Sequence, residues 1–346
     1  MRIGNRKIGG TCNTFIIAEL SANHGHDISI VKKSLKAAKD AGADAVKIQT
    51  YTADTLTIDC DNDYFKLNTG TIWDGRTLYD LYSEAYTPWG WHKQIMEYAN
   101  ELGLIFFSTP FDKTAVDFLE ELNVPVYKVA SFEIMDIPLI EYIASKGKPI
   151  IISTGVASLS DIEESVEACK RMGNDQIILL KCTSSYPSKI EDANLNTISN
   201  MKETFNVEVG LSDHTLGITV PVVSIALGAK VIEKHFILDK SIGGPDALFS
   251  LEPSEFKQMV DSVREAEKSL GQVDYSMTQK KKRNRLLGRS LFVVKDVKAG
   301  EFFSEENIKS IRPGYGLSPK HLKDILGKKA KQDIQRGTPV EWRYIE

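Results

Sequence analysis

Eight short apolar runs, each followed by an amphipathic stretch, limit the folds open to this chain more than any other feature. The runs lie at residues 15–18, 45–48, 104–107, 126–129, 149–152, 177–180, 207–211 and 230–233. Each is strand-length and bounded by polar or turn residues. Between them, residues 28–41, 89–102, 114–122, 158–172 and 218–227 place apolar side chains at helical spacing. Gly42, Gly103, Gly147, Gly173 and Gly228 stand where those helices should stop, because the residue closing a helix often turns left-handed. Strand and helix alternating eight times predict a (β/α)8 TIM barrel.

At 346 residues the chain suits a barrel with a small appendage. We expect a barrel domain over 1–270, a linker over 271–288 and a small C-terminal domain over 289–346. The last of these reads as short strands and tight turns near 291–294, 298–301, 308–312 and 335–340. The basic run at 279–285 reads as a solvated linker rather than a nucleic-acid site. One connection breaks the barrel's rhythm. Residues 50–88 far exceed the ~2–6 residues usual between a barrel strand and its helix, and they are rich in aromatics, including Tyr51, Trp73, Tyr82 and Tyr86. A loop of that length at the mouth of a barrel is expected to bind or cover substrate.

The charge balance, −4 with 26% charged residues, gives no general attraction to nucleic acid or to an anionic membrane. Cys12, Cys60, Cys169 and Cys182 are scattered without a zinc-ligand spacing and read as reduced thiols. There is no apolar leader at the N-terminus and no run of about 20 apolar residues, so a cytoplasmic protein is expected.

Chemistry in such a barrel gathers where strands end, and here every strand ends in polar side chains. In chain order the ends supply Glu19, then Lys47 and Gln49, then Thr109, then Lys128, Ser131 and Glu133, and then Ser153. The last three supply Ser184 and Tyr186, then Ser212 and His214, then Glu233 and His235. Lysines 47 and 128 with the serine hydroxyls suit an anion such as phosphate or carboxylate. His214 and His235 read as half of a metal site that leaves positions open for water and a substrate oxygen. Mn²⁺ fits that mixture of ligands, with Mg²⁺ or Co²⁺ as alternatives. Glu19 and Glu133 are then candidates for proton transfer or for orienting water. The residues alone leave other readings open. The histidines could be hydrogen-bonded core residues, and a lysine could form a Schiff base as in aldolases, although no single lysine is singled out.

At these residues the chain resembles the sialic acid synthase family, the phosphoenolpyruvate (PEP)-dependent nonulosonic acid synthases, over nearly its whole length. The stretches that carry the resemblance are residues 17–24, 41–50, 128–133, 153–155, 182–187, 210–214 and 233–236, then 244–246 with 250–253. The tail, with Gly300-Glu301 and Ile311-Arg312-Pro313-Gly314, resembles the antifreeze-like SAF (β-clip) domain that closes this family.

The resemblance implies a transferase that condenses PEP with an open-chain amino-sugar aldehyde and releases phosphate by C–O cleavage. It implies that His214 and His235 hold Mn²⁺, that Lys47, Lys128, Ser131, Ser153, Ser184 and Ser212 hold PEP, that Glu133 orients water and that Asp246 binds the sugar. Position 184 is serine where some relatives carry asparagine. The resemblance also implies a domain-swapped homodimer in which Arg312 reaches a neighbour's sugar site. Within the family, residues 70–75, 84–89 and 20–23 look like the pseudaminic acid branch. The expected sugar is therefore 2,4-diacetamido-2,4,6-trideoxy-L-altrose, a 6-deoxy diacetamido hexose whose methyl and acetamido groups suit an aromatic loop. Neuraminate or legionaminate synthesis is the alternative within the family. A non-enzymatic carbohydrate- or protein-binding module is the alternative outside it.

Overall fold

The computed structural model describes residues 1–68 and 73–346. Two compact units form, Met1–Gly271 and Gln272–Glu346. In the first, eight parallel strands close into a barrel. They are β1 (Phe15–Glu19), β2 (Ala45–Thr50), β3 (Ile105–Pro110), β4 (Tyr127–Val129), β5 (Ile150–Ser153), β6 (Ile177–Cys182), β7 (Glu208–Asp213) and β8 (Val231–His235). The barrel expectation holds, and neighbouring strands pair in chain order, with β8 closing on β1.

All the strands but β4 run one to three residues further than the apolar runs do. Polar ends such as Glu19, Ser153 and His235 remain in the ladder, where hydropathy alone would have stopped it. β7 carries Gly210 because a Cβ there would stand 2.3 Å from the carbonyl oxygen of Val231 on β8.

The rear of the barrel is apolar. Phe15, Ile17, Ala45, Phe107, Val126, Ile151, Ile178, Leu180 and Val231 form one buried cluster with Ile3 and Ile8. Those two isoleucines belong to the N-terminal segment, in which Arg2–Ile3 and Arg6–Lys7 pair as a short antiparallel hairpin. A second and larger apolar cluster joins the other faces of the strands to the helices.

The connection after β2 contains two short helices, Ala53–Leu56 and Leu78–Ala85. The second is capped by the Thr77 side chain, which accepts from the Asp80 N–H. The motif at 70–75 lies only partly within the described residues, because 70–72 fall outside them.

In the second unit, β9 (Ser290–Val293) and β10 (Ile308–Ile311) pair antiparallel. They pack a small core around Leu291, Phe303, Ile308, Ile334 and Val340. The basic run is not extended, because Gln279–Arg285 forms a short helix capped by Thr278. No helix among the described residues is long and apolar enough to cross a membrane.

Candidate active site

A cavity of about 810 Å³ opens at the C-terminal ends of the strands. Every strand sends a side chain from its end, or from the loop just after it, into the cavity wall; for β3 it is Phe111, just past the strand. Glu19, Lys47, Gln49, Lys128, Ser131 and Glu133 line it, as do Ser153, Ser184, Tyr186, Ser212, His214, His235 and Asp246. Thr109 does not line the cavity; it acts one step behind the wall, where its hydroxyl accepts from Lys47 Nζ at 3.1 Å. Arg312 follows β10 in the second unit.

The strand period of two places alternate residues on the same side, so buried charges accumulate at the mouth of the barrel. Lys47 Nζ lies 2.7 Å from Glu19 Oε2 and 3.5 Å from Glu233 Oε1. Glu233 in turn accepts from the Ser212 hydroxyl at 3.1 Å. Burial alone would lower the pKa of Lys47, but Glu19 and Glu233 outweigh it and hold the ammonium charged. Glu19 goes the other way: burial lifts its carboxyl to about 7 despite Lys47.

Lys128 is fully buried, donates to the carbonyl of Val129 at 2.9 Å, and has no carboxylate within ion-pair distance among the described residues. Burial lowers its pKa, a cost that a bound anion would remove. Beside it, Gly155 leaves a gap, since a Cβ there would stand 2.2 Å from Ser184 Oγ and 2.8 Å from Ser131 Oγ. The Gly155 N–H donates to Ser131 Oγ at 2.9 Å, and Ser153 Oγ is buried without a partner among the described residues. A lysine lacking a counter-ion, with hydroxyls and a side-chain-free corner around it, is suited to a phosphate or carboxylate.

The two imidazoles lie with ring centroids 5.2 Å apart. The carbonyl of Thr183 accepts from His214 Nδ1 at 3.1 Å and so fixes a proton on that nitrogen, which makes Nε2 the atom that would meet a metal. His235 is kept neutral by burial and by the neighbouring His214, with its Nδ1 3.6 Å from Asp246 Oδ2. Buried Glu19 Oε1, Glu233 Oε2 and His235 Nδ1 have no hydrogen-bond partner among the described residues. The neutral His235, the Nε2 edge of His214 and the unpaired acceptors fit a divalent cation, which would displace the proton that Cys182 and Asp213 favour on His214. No cluster of three or more His, Cys, Asp or Glu side chains forms a complete cage among the described residues, so water or substrate would complete the shell.

Burial raises Glu133 to about 7, against the pull of Lys128, which makes it able to hold or release a proton near neutrality. The long connection contributes Tyr51, Leu56, Leu67, Trp73, Leu78, Leu81, Tyr82 and Ala85 to the wall. The Trp73 indole donates to the Pro245 carbonyl at 3.3 Å and its ring lies 5.5 Å from Tyr186.

Of the wall residues without a role in the sequence analysis, two pair with groups of the site. Glu233 completes the pairing of Lys47, and the step of two from Val231 through Glu233 to His235 was the available signal. Cys182 was read only as a reduced thiol, yet its Sγ lies 3.8 Å from His214 Nδ1. Burial would raise that thiol, but His214, with Ser131 and Lys128, outweighs it and brings it down to about 7.

The sequence model of the NeuB family matches residues 34–275, and that of the SAF domain matches residues 288–346. The chain is 51% identical to the pseudaminic acid synthase of Campylobacter jejuni over 341 residues, covering 99% of this chain and 98% of that protein. It is 47% identical to the pseudaminic acid synthase of Helicobacter pylori, covering 96% and 97%. Among solved structures, an N-acetylneuraminic acid synthetase from Leptospira borgpetersenii in complex with citrate matches with a TM-score of 0.73 and 33% identity, covering 82% of this chain and 94% of that one.

Proposed function

The chain belongs to the NeuB family, and from that premise we propose that it is a pseudaminic acid synthase. It condenses PEP with 2,4-diacetamido-2,4,6-trideoxy-L-altrose and releases pseudaminic acid and phosphate. One observation carries the choice of sugar. Every side chain that the long connection turns to the cavity, among the described residues, is apolar or aromatic. Such a wall favours a methyl and acetamido groups over a chain of hydroxyls, each of which would lose its water without gaining a partner.

The chain's own residues divide the work. Lys128 and Lys47 neutralise the phosphate and carboxylate of PEP, and the hydroxyls of Ser131, Ser153, Ser184 and Ser212 orient it. Gln49, Tyr186 and Asp246 face the sugar. A divalent cation, most simply Mn²⁺, would be held by His214 and His235 and would supply Lewis-acid polarisation of the aldehyde. Carbon three of PEP bonds to the aldehyde carbon, and water adds at carbon two. Glu133, poised near neutrality, accepts a proton from that water, and the C–O bond to phosphate then breaks. Glu19, its proton affinity raised by burial, protonates the nascent alkoxide.

In the same reading Arg312 acts on the barrel of a second copy in a homodimer. Arg312→Ala and Glu133→Ala proteins, each inactive alone, then regain part of the activity after subunit exchange, and an exchanged mixture that stays inactive removes the shared site. The reading as a whole is tested by product mass with PEP, Mn²⁺ and a panel of hexosamines. A mass corresponding to pseudaminic acid supports it. A kcat/KM equal or higher with N-acetylmannosamine moves the chain to the neuraminate branch, and no phosphate release with any sugar leaves a binding module.

A further inference from the structure

The strand period that sends Ser212, His214, Glu233 and His235 to the cavity turns Asp213 and Lys234 away from it. Both are buried, Lys234 with 0% of its surface exposed and Asp213 with 3%, and they face each other in register across β7 and β8. Lys234 Nζ lies 2.5 Å from Asp213 Oδ2 and also donates to the carbonyl of Thr215. Asp213 Oδ1 accepts from the N–H of Thr215 at 3.1 Å and from its hydroxyl at 2.9 Å. One carboxylate therefore grips the chain on both sides of His214, and the ammonium beside His235 grips the carboxylate and the same loop. The His214 carbonyl is held from a third direction by the Ser188 N–H at 3.1 Å.

A buried pair of this kind is a poor route to stability, since two packed apolar side chains would serve as well without the desolvation cost. What the apolar pair would lack is direction. Hydrogen bonds fix where the strand ends lie, and ligand side chains need placing to within about 0.5 Å.

We propose that Asp213 and Lys234 are positioning residues that set the separation of the two imidazoles and, through it, the affinity for the divalent cation. The inference rests on the reading of His214 and His235 as the cation's ligands. It is tested on the full chain, stripped of metal, by measuring the Kd for Mn²⁺ through the spin-resonance signal of the free ion, alongside the thermal midpoint. His235→Ala should abolish the tight site that the wild type shows. Asp213→Asn should raise the Kd by roughly 10–100-fold, the range expected when a group supporting a metal ligand is lost. The paired Asp213→Leu/Lys234→Met substitution should recover the wild-type midpoint while leaving the Kd raised, which a purely structural pair would not do. Should that double variant fail to fold, Asp213→Asn alone decides. A folded Asp213→Asn protein with the wild-type Kd overturns the inference and leaves the histidine reading intact. Tight Mn²⁺ binding that survives His214→Ala and His235→Ala overturns the reading, and the inference with it.

Discussion

Along β1 the side chains facing the barrel axis run Phe15, Ile17, Glu19, and along β8 they run Val231, Glu233, His235. Two residues, about 7 Å of strand, separate a rear half packed with hydrocarbon from a mouth that buries carboxylates, ammoniums and imidazoles. The rear is complete in itself, since its apolar atoms need nothing beyond contact. The mouth is not: Lys128 lacks a counter-ion, and Glu19, Ser153 and His235 keep buried polar atoms without partners among the described residues. Groups left in that condition cost stability until a ligand meets them. The fold is therefore secured at one end of the barrel and strained at the other, where a charged substrate would relieve it.

The comparison is put at greatest risk by removing a mouth residue. His214→Ala or His235→Ala should reduce phosphate release by a thousandfold or more, the loss of several kcal/mol of transition-state stabilisation. The thermal midpoint of the protein without ligand should hold or rise. Phosphate release and a circular-dichroism melt measure the two outcomes. A midpoint that fell together with the activity would mean that the mouth also carries the fold.

The next effect sharpens the comparison through pH. Burial raises the folded Glu133 carboxyl from 4.5 to about 7. Between those values the folded protein holds a proton that the unfolded chain has released. The stabilisation is full below about pH 4.5 and is lost as the pH rises through 7. Glu133→Gln, which never ionises, should be more stable than wild type by about 1–3 kcal/mol at pH 8 and equal to it near pH 4. Urea midpoints across that range test it, and parallel curves would show that the carboxyl is not strained.

Selectivity gives a smaller effect. Leu81, on the helix Leu78–Ala85, is buried and lines the cavity. Leu81→Asn should lower kcat/KM for the diacetamido-trideoxy sugar about tenfold and change that for N-acetylmannosamine much less. Equal losses for both sugars would remove the long connection from sugar choice.

The two halves also differed in how far they could be read beforehand. The rear follows from hydropathy, because runs such as 149–152 and 177–180 admit little besides a buried strand. The mouth was legible as a set of residue types at strand ends, which is why Lys47, Lys128 and both histidines were found. Its pairings were not. Whether Lys47 takes Glu19 or Glu233, and that Lys128 takes neither, depends on distances across the barrel that no local pattern encodes. The pairing of Asp213 with Lys234 was hidden in the same way, since residue type at a strand end does not tell that two neighbours on adjacent strands turn from the cavity and bury each other. Thr109 looked like a wall residue because strand period gives the side chain's direction but not its depth.

The smallest effect tests the rear. Ile178 is fully buried in the rear cluster, on the strand that continues through Leu180 to Cys182 at the cavity wall. Ile178→Val removes one methylene and should cost about 1 kcal/mol of stability, since the packed surroundings collapse only partly around the gap. The mouth should not register it. Leu180 stands between the substitution and the cavity, and the β6 ladder to β5 and β7 fixes the backbone independently of the side chain lost. The kcat and KM for PEP should therefore stay at wild-type values while the urea midpoint falls. A KM for PEP that rose with the lost methylene would show that packing at the rear sets the placement of Ser184 and Cys182, and that the two halves of the barrel are one mechanical unit.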